Sequence, residues 1–187
     1  MSGPSGAGKT TLVSALCANR PEVVLSVSAT TRPRRHDEVE GLSYLFVGEE
    51  DFAALEAGGG FLESAIVHGH RYGTPRAPVE DALAAGKAVV LEIDVQGARQ
   101  VKAALPEAVL VFVEPPSMEV LRSRLAARGS EDAAALALRV RNAEQEMAAA
   151  GEFDHRIVND RLGDALAELF RILDEPGTAE HPARSTR

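Results

Sequence analysis

Gly3-Pro-Ser-Gly-Ala-Gly8-Lys9-Thr10, with Thr11 behind it, is the stretch of this chain that decides the fold. Its spacing fits G-x-x-x-x-G-K-[ST], a loop whose backbone N–H groups cradle phosphate. Gly3, Gly6 and Gly8 let the segment, which also holds Pro4, Ser5 and Ala7, turn tightly with its available backbone N–H groups directed at an anion. Lys9 is placed to reach the β- and γ-phosphates of a nucleotide, and the Thr10 hydroxyl to ligate Mg²⁺. A helix opening at Lys9 adds its positive end. The alternative is a glycine-rich turn that matches by chance, and composition speaks against it. Of 20 basic residues only Lys9, Lys87 and Lys102 are lysine. A chain that writes arginine nearly everywhere has, at this position, the compact point charge a guanidinium does not reproduce.

The bulk properties bound what surrounds the loop. The 187 residues, 45% hydrophobic and 26% charged, suffice for one well-buried domain with insertions. No apolar run approaches bilayer length, so no membrane partner is expected. The single cysteine, Cys17, excludes an internal disulfide and suits a reducing compartment. Met1 opens directly on the loop, so no targeting peptide is expected and the predicted location is cytoplasmic. A net charge of −8 argues against a general nucleic-acid binder. Arg32, Arg34 and Arg35 form a local exception, a basic cluster that suggests a discrete anion pocket.

Strand and helix patterns alternate along the chain. Residues 23–28, 42–47 and 61–67 read as strands, with a short helix at 49–57. A helix is predicted at 78–85, stopped by Gly86. The near-continuous apolar run 88–95 reads as a strand buried on both faces of a parallel sheet, and 109–113 as another. Helical patterns follow at 118–128 and 132–150, then a short strand at 156–159. Leu166, Leu169, Phe170 and Leu173 form the apolar stripe of a last helix. Residues 175–187 have no apolar periodicity and are expected to be a disordered tail. The fold class predicted is α/β, a P-loop NTPase-like parallel sheet flanked by helices. Residues 27–75 break its rhythm like an inserted small mixed or antiparallel subdomain.

A nucleotide loop leaves the reaction open; the acceptor decides it. Residues 26–44 bring hydroxyls, guanidinium groups and the Tyr44 phenol together, and arginine grips phosphate bidentately. A solvated charged loop is the alternative. Glu63 stands inside an apolar strand pattern, where a carboxylate is costly unless paired. Its two acceptors match the N1–H and N2 amine of guanine, with the Ser28 and Thr74 hydroxyls assisting. By alternation alone, Glu63 could equally face solvent.

These features together resemble the guanylate kinase family. The resemblance runs from Gly3 to Asp160 and rests on the loop, Ser26-Val-Ser-Ala-Thr-Thr-Arg32, Glu38-Val-Glu-Gly41 with Tyr44, Phe61-Leu-Glu63, Tyr72-Gly-Thr74, Ile93-Asp-Val-Gln-Gly97, Arg128-Gly129 and Ile157-Val-Asn-Asp160. It implies transfer of the γ-phosphate of ATP to GMP, and to dGMP, with Mg²⁺. It implies that Arg32, Arg35, Tyr44 and Tyr72 hold the GMP phosphate, and that Ser28, Glu63, Thr74 and Asp94 read the guanine. It further implies that Asn159 serves the ATP side, and that the lid arginines Arg128 and Arg139 join Lys9 in neutralising the migrating phosphoryl group. Arg139 alone would read as an exposed helix arginine.

The implied organisation is a single domain over 1–187. Its core would be 1–26, 76–115 and 143–174, with 27–75 as the GMP-binding insertion and 116–142 as a helical lid. Departures fall at Pro33, Arg34 and Asp37 in the arginine loop, and at Arg71 and Glu92. A non-catalytic interaction module of the same fold is one alternative, and a kinase of another phosphorylated metabolite such as a ribose bisphosphate is another. The family pattern also places an apolar strand before Ser2, so the natural polypeptide is expected to start upstream of Met1.

Overall fold

The computed structural model describes residues 1–67, 69–127 and 133–175. The loop leads into α1 (Lys9–Asn19), whose Leu12, Val13 and Leu16 are buried. β1 (Val23–Leu25) pairs in parallel with β6 (Ala88–Val90), and β7 (Val111–Glu114) in parallel with β8 (His155–Val158). Met1 and Ser2 join the two pairs. The Met1 amino group donates to the Leu91 carbonyl at 2.8 Å and Ile93 N–H donates to the Met1 carbonyl, while Ser2 N–H donates to the Val111 carbonyl and the Ser2 carbonyl accepts from Val113 N–H. This is the slanted pattern of a parallel ladder.

The main core lies between this sheet, α1 and α7 (Leu162–Leu173). Leu12, Leu16, Val23, Val111, Val113, Ile157 and Leu169 form one buried cluster, with Leu166, Phe170 and Leu173 packed against it. The stripe predicted on the last helix is thus core. Each large side chain buried here contributes about 1.5–3 kcal/mol of transfer free energy.

The second sheet is the part that faces the loop. After β1 the extended chain crosses over and becomes β2 (Ala29–Thr30), parallel to β3 (Leu45–Phe46) and antiparallel to β5 (His70–Pro75). β4 (Phe61–Val67) closes the order β3-β2-β5-β4 as an edge. α2 (Glu49–Ala57) packs behind it, with Phe52 stacked on Phe61 at 4.5 Å between ring centroids. Gly73 permits that stack, because a Cβ there would stand 2.9 Å from the Phe61 ring.

Three expectations are corrected here. The run 88–95 is not one strand buried on both faces: its residues up to Asp94 are half-buried, and Val95 begins α4 (Val95–Ala104). Asp94 ends the extended run because its Oδ1 accepts the Gly97 N–H at 2.7 Å, a helix N-cap. The strand read over 42–47 shortens to two residues, since Val39 accepts from Ser43 N–H and turns the chain there. β5 has no apolar alternation, and pairing with β4 forms it instead. The helix at 76–84, α3 (Arg76–Ala84), starts two residues before its expected bound. α5 (Met118–Ala127) and α6 (Ala133–Ala148) complete the fold, followed by one turn of 3-10 helix (Ala150–Glu152). The expected tail beyond 175 lies outside the described residues.

Candidate active site

The glycine-rich loop is held from below. Gly3, Gly6 and Gly8 have φ of 136°, 89° and 90°. Space as well as conformation requires two of them. A Cβ on Gly3 would collide with the Val113 carbonyl, and one on Gly8 with the Asn159 side-chain nitrogen. That nitrogen donates to the Ala7 carbonyl at 2.8 Å, and Asn159 N–H donates to Glu114 at 2.7 Å. Asn159 is therefore buried under the loop as its clamp rather than open to the cleft. Lys9 Nζ donates to the Gly3 and Pro4 carbonyls at 2.5 and 3.1 Å, which curls the ammonium over the loop. Thr10 Oγ1 donates to Glu92 Oε1 at 2.9 Å.

Opposite the loop stands the inner face of the second sheet. The pairing shifts by one residue between Phe61 and Glu63, a bulge at Leu62. It puts Phe61 and Glu63 on opposite faces, Phe61 against Phe52 and Glu63 toward the loop. The side chains of Glu63, Ala65 and Val67 then follow at the period of a strand, beside Thr74 and Tyr72 across the ladder. Glu63 is only 6% exposed, and Thr74 Oγ1 donates to its Oε1 at 2.6 Å. Burial pushes the Glu63 carboxyl up; the Thr74 bond opposes this and the nearby Asp94 adds to it.

Arg32 is fixed on nearly every side. Its Nε donates to the Tyr72 hydroxyl at 3.1 Å, Nη1 to the Pro33 carbonyl at 2.7 Å and Nη2 to Glu38 Oε1 at 2.6 Å. Its guanidinium carbon lies 5.5 Å from the centre of the Tyr44 ring. Glu38 Oε2 accepts Arg35 N–H at 2.8 Å, so one carboxylate organises both arginines. Arg32, followed by Arg35, holds the Glu38 carboxyl below the ordinary carboxylate range. Tyr44 and Tyr72 meet edge to face, 5.8 Å between centroids. Burial pushes the Tyr44 hydroxyl up.

Loop and sheet enclose a cleft of about 420 Å³, open to solvent. Of the residues singled out in the sequence, Gly3, Ser5, Gly6, Gly8, Lys9, Thr10, Ser28, Arg32, Arg35, Tyr44, Glu63, Tyr72 and Asp94 line it. Pro4 and Ala7 are buried within the loop, Thr11 is exposed on α1, and Thr74 is buried beneath Glu63. Arg139 is half-buried on α6 and is not among the lining residues; Arg128 lies outside the described residues. Arg34, the neighbour that could compete for phosphate, is exposed and off the cleft wall. Two lining carboxylates had no assigned role. Glu92 follows an apolar strand, a signal the departure at that position already carried. Glu146 projects from α6, where nothing in the helical pattern marks it; burial pushes its carboxyl up, opposed by Lys9.

A parallel sheet bearing a lysine-tipped anion loop, facing a small sheet that carries arginines and a buried carboxylate, defines a kinase of the P-loop class. The guanylate kinase family model matches residues 1–176. The guanylate kinase of Leifsonia xyli subsp. xyli is 51% identical over 174 residues, covering 92% of this chain and 68% of that protein. That of Synechocystis is 49% identical over 175 residues, 94% of this chain and 92% of that one. The crystal structure of guanylate kinase from Anaplasma phagocytophilum superposes with a TM-score of 0.75 at 33% identity, covering 90% of this chain and 84% of the other. The chain belongs to the guanylate kinase family.

Proposed function

We infer that this chain transfers the γ-phosphoryl group of ATP to GMP. A phosphate oxygen of GMP attacks the γ-phosphorus, the bond to the β,γ-bridging oxygen breaks, and GDP and ADP leave. The observation that carries this is the single cleft on which the anion loop, the Arg32 and Arg35 pair and the buried Glu63 all open. No side chain need act as a nucleophile, so positioning and charge neutralisation supply the rate. Lys9 balances charge on the transferring group, with Arg128 and Arg139 as the proposed lid partners. Arg32, Arg35, Tyr44 and Tyr72 grip the acceptor phosphate. Glu63, braced by Thr74, accepts from the two guanine donors, with Ser28 and Asp94 beside it. Closure of 27–75 and 116–142 toward the core would exclude water that otherwise hydrolyses ATP.

The donor set beside the loop fits Mg²⁺. Thr10 Oγ1 and Glu92 Oε1 already meet at 2.9 Å, and Asp94 lines the same wall. All three offer oxygen, the ligand type a hard divalent cation takes. Thr10 would hold the cation with the two carboxylates near it. When bound it supplies positive charge to the β- and γ-phosphates.

Replacing Lys9 by Ala tests the loop assignment. Turnover is expected to fall about 10²-fold or more while GMP affinity stays within about twofold. A coupled ADP-release assay over GMP, dGMP, AMP, CMP and ribose phosphates tests the acceptor. Undiminished turnover of the lysine variant refutes the first assignment, and no turnover with GMP refutes the second.

A further inference from the structure

The Glu63 carboxylate is held from outside its own sheet. Its Oε1 takes the Thr74 hydroxyl, but its Oε2 lies against α4. A Cβ built on Gly97 would stand 2.5 Å from Oε2 and 3.1 Å from the carboxyl carbon. Gly97 is buried within the first turn of α4, and its φ is not positive, so helical geometry does not demand glycine there. The missing side chain instead makes room for the carboxylate. The Gly97 N–H meanwhile donates to Asp94 Oδ1 at 2.7 Å.

One turn further along the same helix face, Gln100 grips the neighbouring residue. Its Oε1 accepts the Ser64 N–H at 3.1 Å and its Nε2 donates to the Ser64 carbonyl at 2.8 Å. β4 is an edge strand, and this amide satisfies its backbone as a further strand would. A single face of α4 therefore reaches Asp94, Glu63 and Ser64.

We propose that Gly97 and Gln100 are positioning residues that fix the Glu63 carboxylate relative to Asp94, and thereby set the preference for guanine over purines lacking the N2 amine. This rests on Glu63 being the base reader. A bidentate pair needs both carboxylate oxygens in register with two donors. With alanine at 97, Oε2 must retreat by roughly 0.9 Å to reach ordinary van der Waals contact. Oε2 is the far end of a flexible side chain and makes the largest move, while the Ile93 Cβ at 3.3 Å has to give by a few tenths of an ångström. Alanine is also the better helix former. A purely structural role for Gly97 would therefore leave substrate choice untouched.

The experiment is steady-state kinetics with GMP and with inosine monophosphate, which keeps N1–H but lacks the N2 amine. Gly97→Ala is measured in the wild-type and in the Glu63→Ala backgrounds. In the wild type it should raise the GMP KM about tenfold or more and cut the GMP-over-inosine preference similarly, with the ATP KM within about twofold. In the Glu63→Ala background, where no carboxylate is displaced, it should change either quantity by less than about twofold. Gln100→Leu, on an exposed position, should lower the same preference several-fold and guards against misfolding at 97. Equal effects of Gly97→Ala in both backgrounds, or an unchanged preference in Gly97→Ala and Gln100→Leu, would overturn the proposal. If Glu63→Ala alone leaves the GMP KM and the preference intact, the base-reading assignment itself fails.

Discussion

Gly8→Ala puts the seat of the phosphate loop to the test. Residue 8 is the N-cap of α1 at φ 90° and ψ 21°, where an L side chain costs about 1–2 kcal/mol. The added methyl also collides with the Asn159 nitrogen, so the 2.8 Å bond to the Ala7 carbonyl must break. A buried carbonyl left without that donor costs about 1–2 kcal/mol more. The sum, about 3 kcal/mol, should lower the melting temperature of a domain this size by roughly 6–12 °C. In an Asn159→Ala background the collision is gone and only the conformational cost remains, so the additional drop should shrink to roughly half. Thermal melts by far-UV circular dichroism on the four proteins of this cycle measure both quantities, and ADP release measures the accompanying loss of turnover. Equal drops in the two backgrounds would remove Asn159 from the account. An unshifted melting temperature for Gly8→Ala would refute the whole of it.

Glu63→Gln replaces two acceptors by one acceptor and one donor, so the GMP KM should rise about 10²-fold, read by steady-state kinetics. Because burial raises the folded-state pKa of Glu63, wild-type stability falls as pH climbs from the ordinary carboxylate range through that raised value. The glutamine variant lacks this fall, so its melting temperature should gain on the wild type as pH rises above the ordinary carboxylate range; a constant offset would refute the assignment. Glu38 has the opposite sign: Arg32 depresses its pKa, so its contribution is full above the ordinary carboxylate range and lost as pH drops through the lowered value. Glu38→Gln should therefore weaken the pH dependence on the acid side and raise the GMP KM several-fold with the ATP KM unchanged, and equal rises in both would refute the role given to Glu38. Chelation with EDTA should abolish turnover and added Mg²⁺ restore it, while Thr10→Ala should raise the Mg²⁺ concentration needed by about tenfold; activity indifferent to EDTA would exclude the cation.

The loop was legible because its chemistry is local: three glycines, one lysine and the Thr10 hydroxyl behind it, all within eight residues, carry their own geometry. α2 and β4 were legible for the same reason, each being a run with a clear period and a clear stop. β5 was not, because Arg71, Gly73 and Pro75 suit a strand only where β4 pairs with them. The start of α4 was hidden at the end of an apolar run, because it depends on the Asp94 side chain turning back onto Gly97. The orientation of Glu63 could not be read from alternation, since the bulge at Leu62 resets the count. Arg32 and Tyr44 stood out as residue types, whereas the carboxylate that organises them, Glu38, reads in sequence as one more charge in a charged loop.

The contact between Tyr44 and Tyr72 has a consequence for how this protein can be observed. The chain contains no tryptophan and just these two tyrosines. Both rings line the cleft, and they meet within it. Tyrosine emission and the tyrosine band of the near-ultraviolet circular dichroism are therefore local signals, while far-ultraviolet dichroism reports the whole backbone. Comparing the two along a denaturant titration separates opening of the small sheet from loss of the parallel core. Coincident curves would mean that cleft and core come apart together; a tyrosine transition at lower denaturant would mark the acceptor side as the weaker unit. The protein carries its own label at the place where substrates meet.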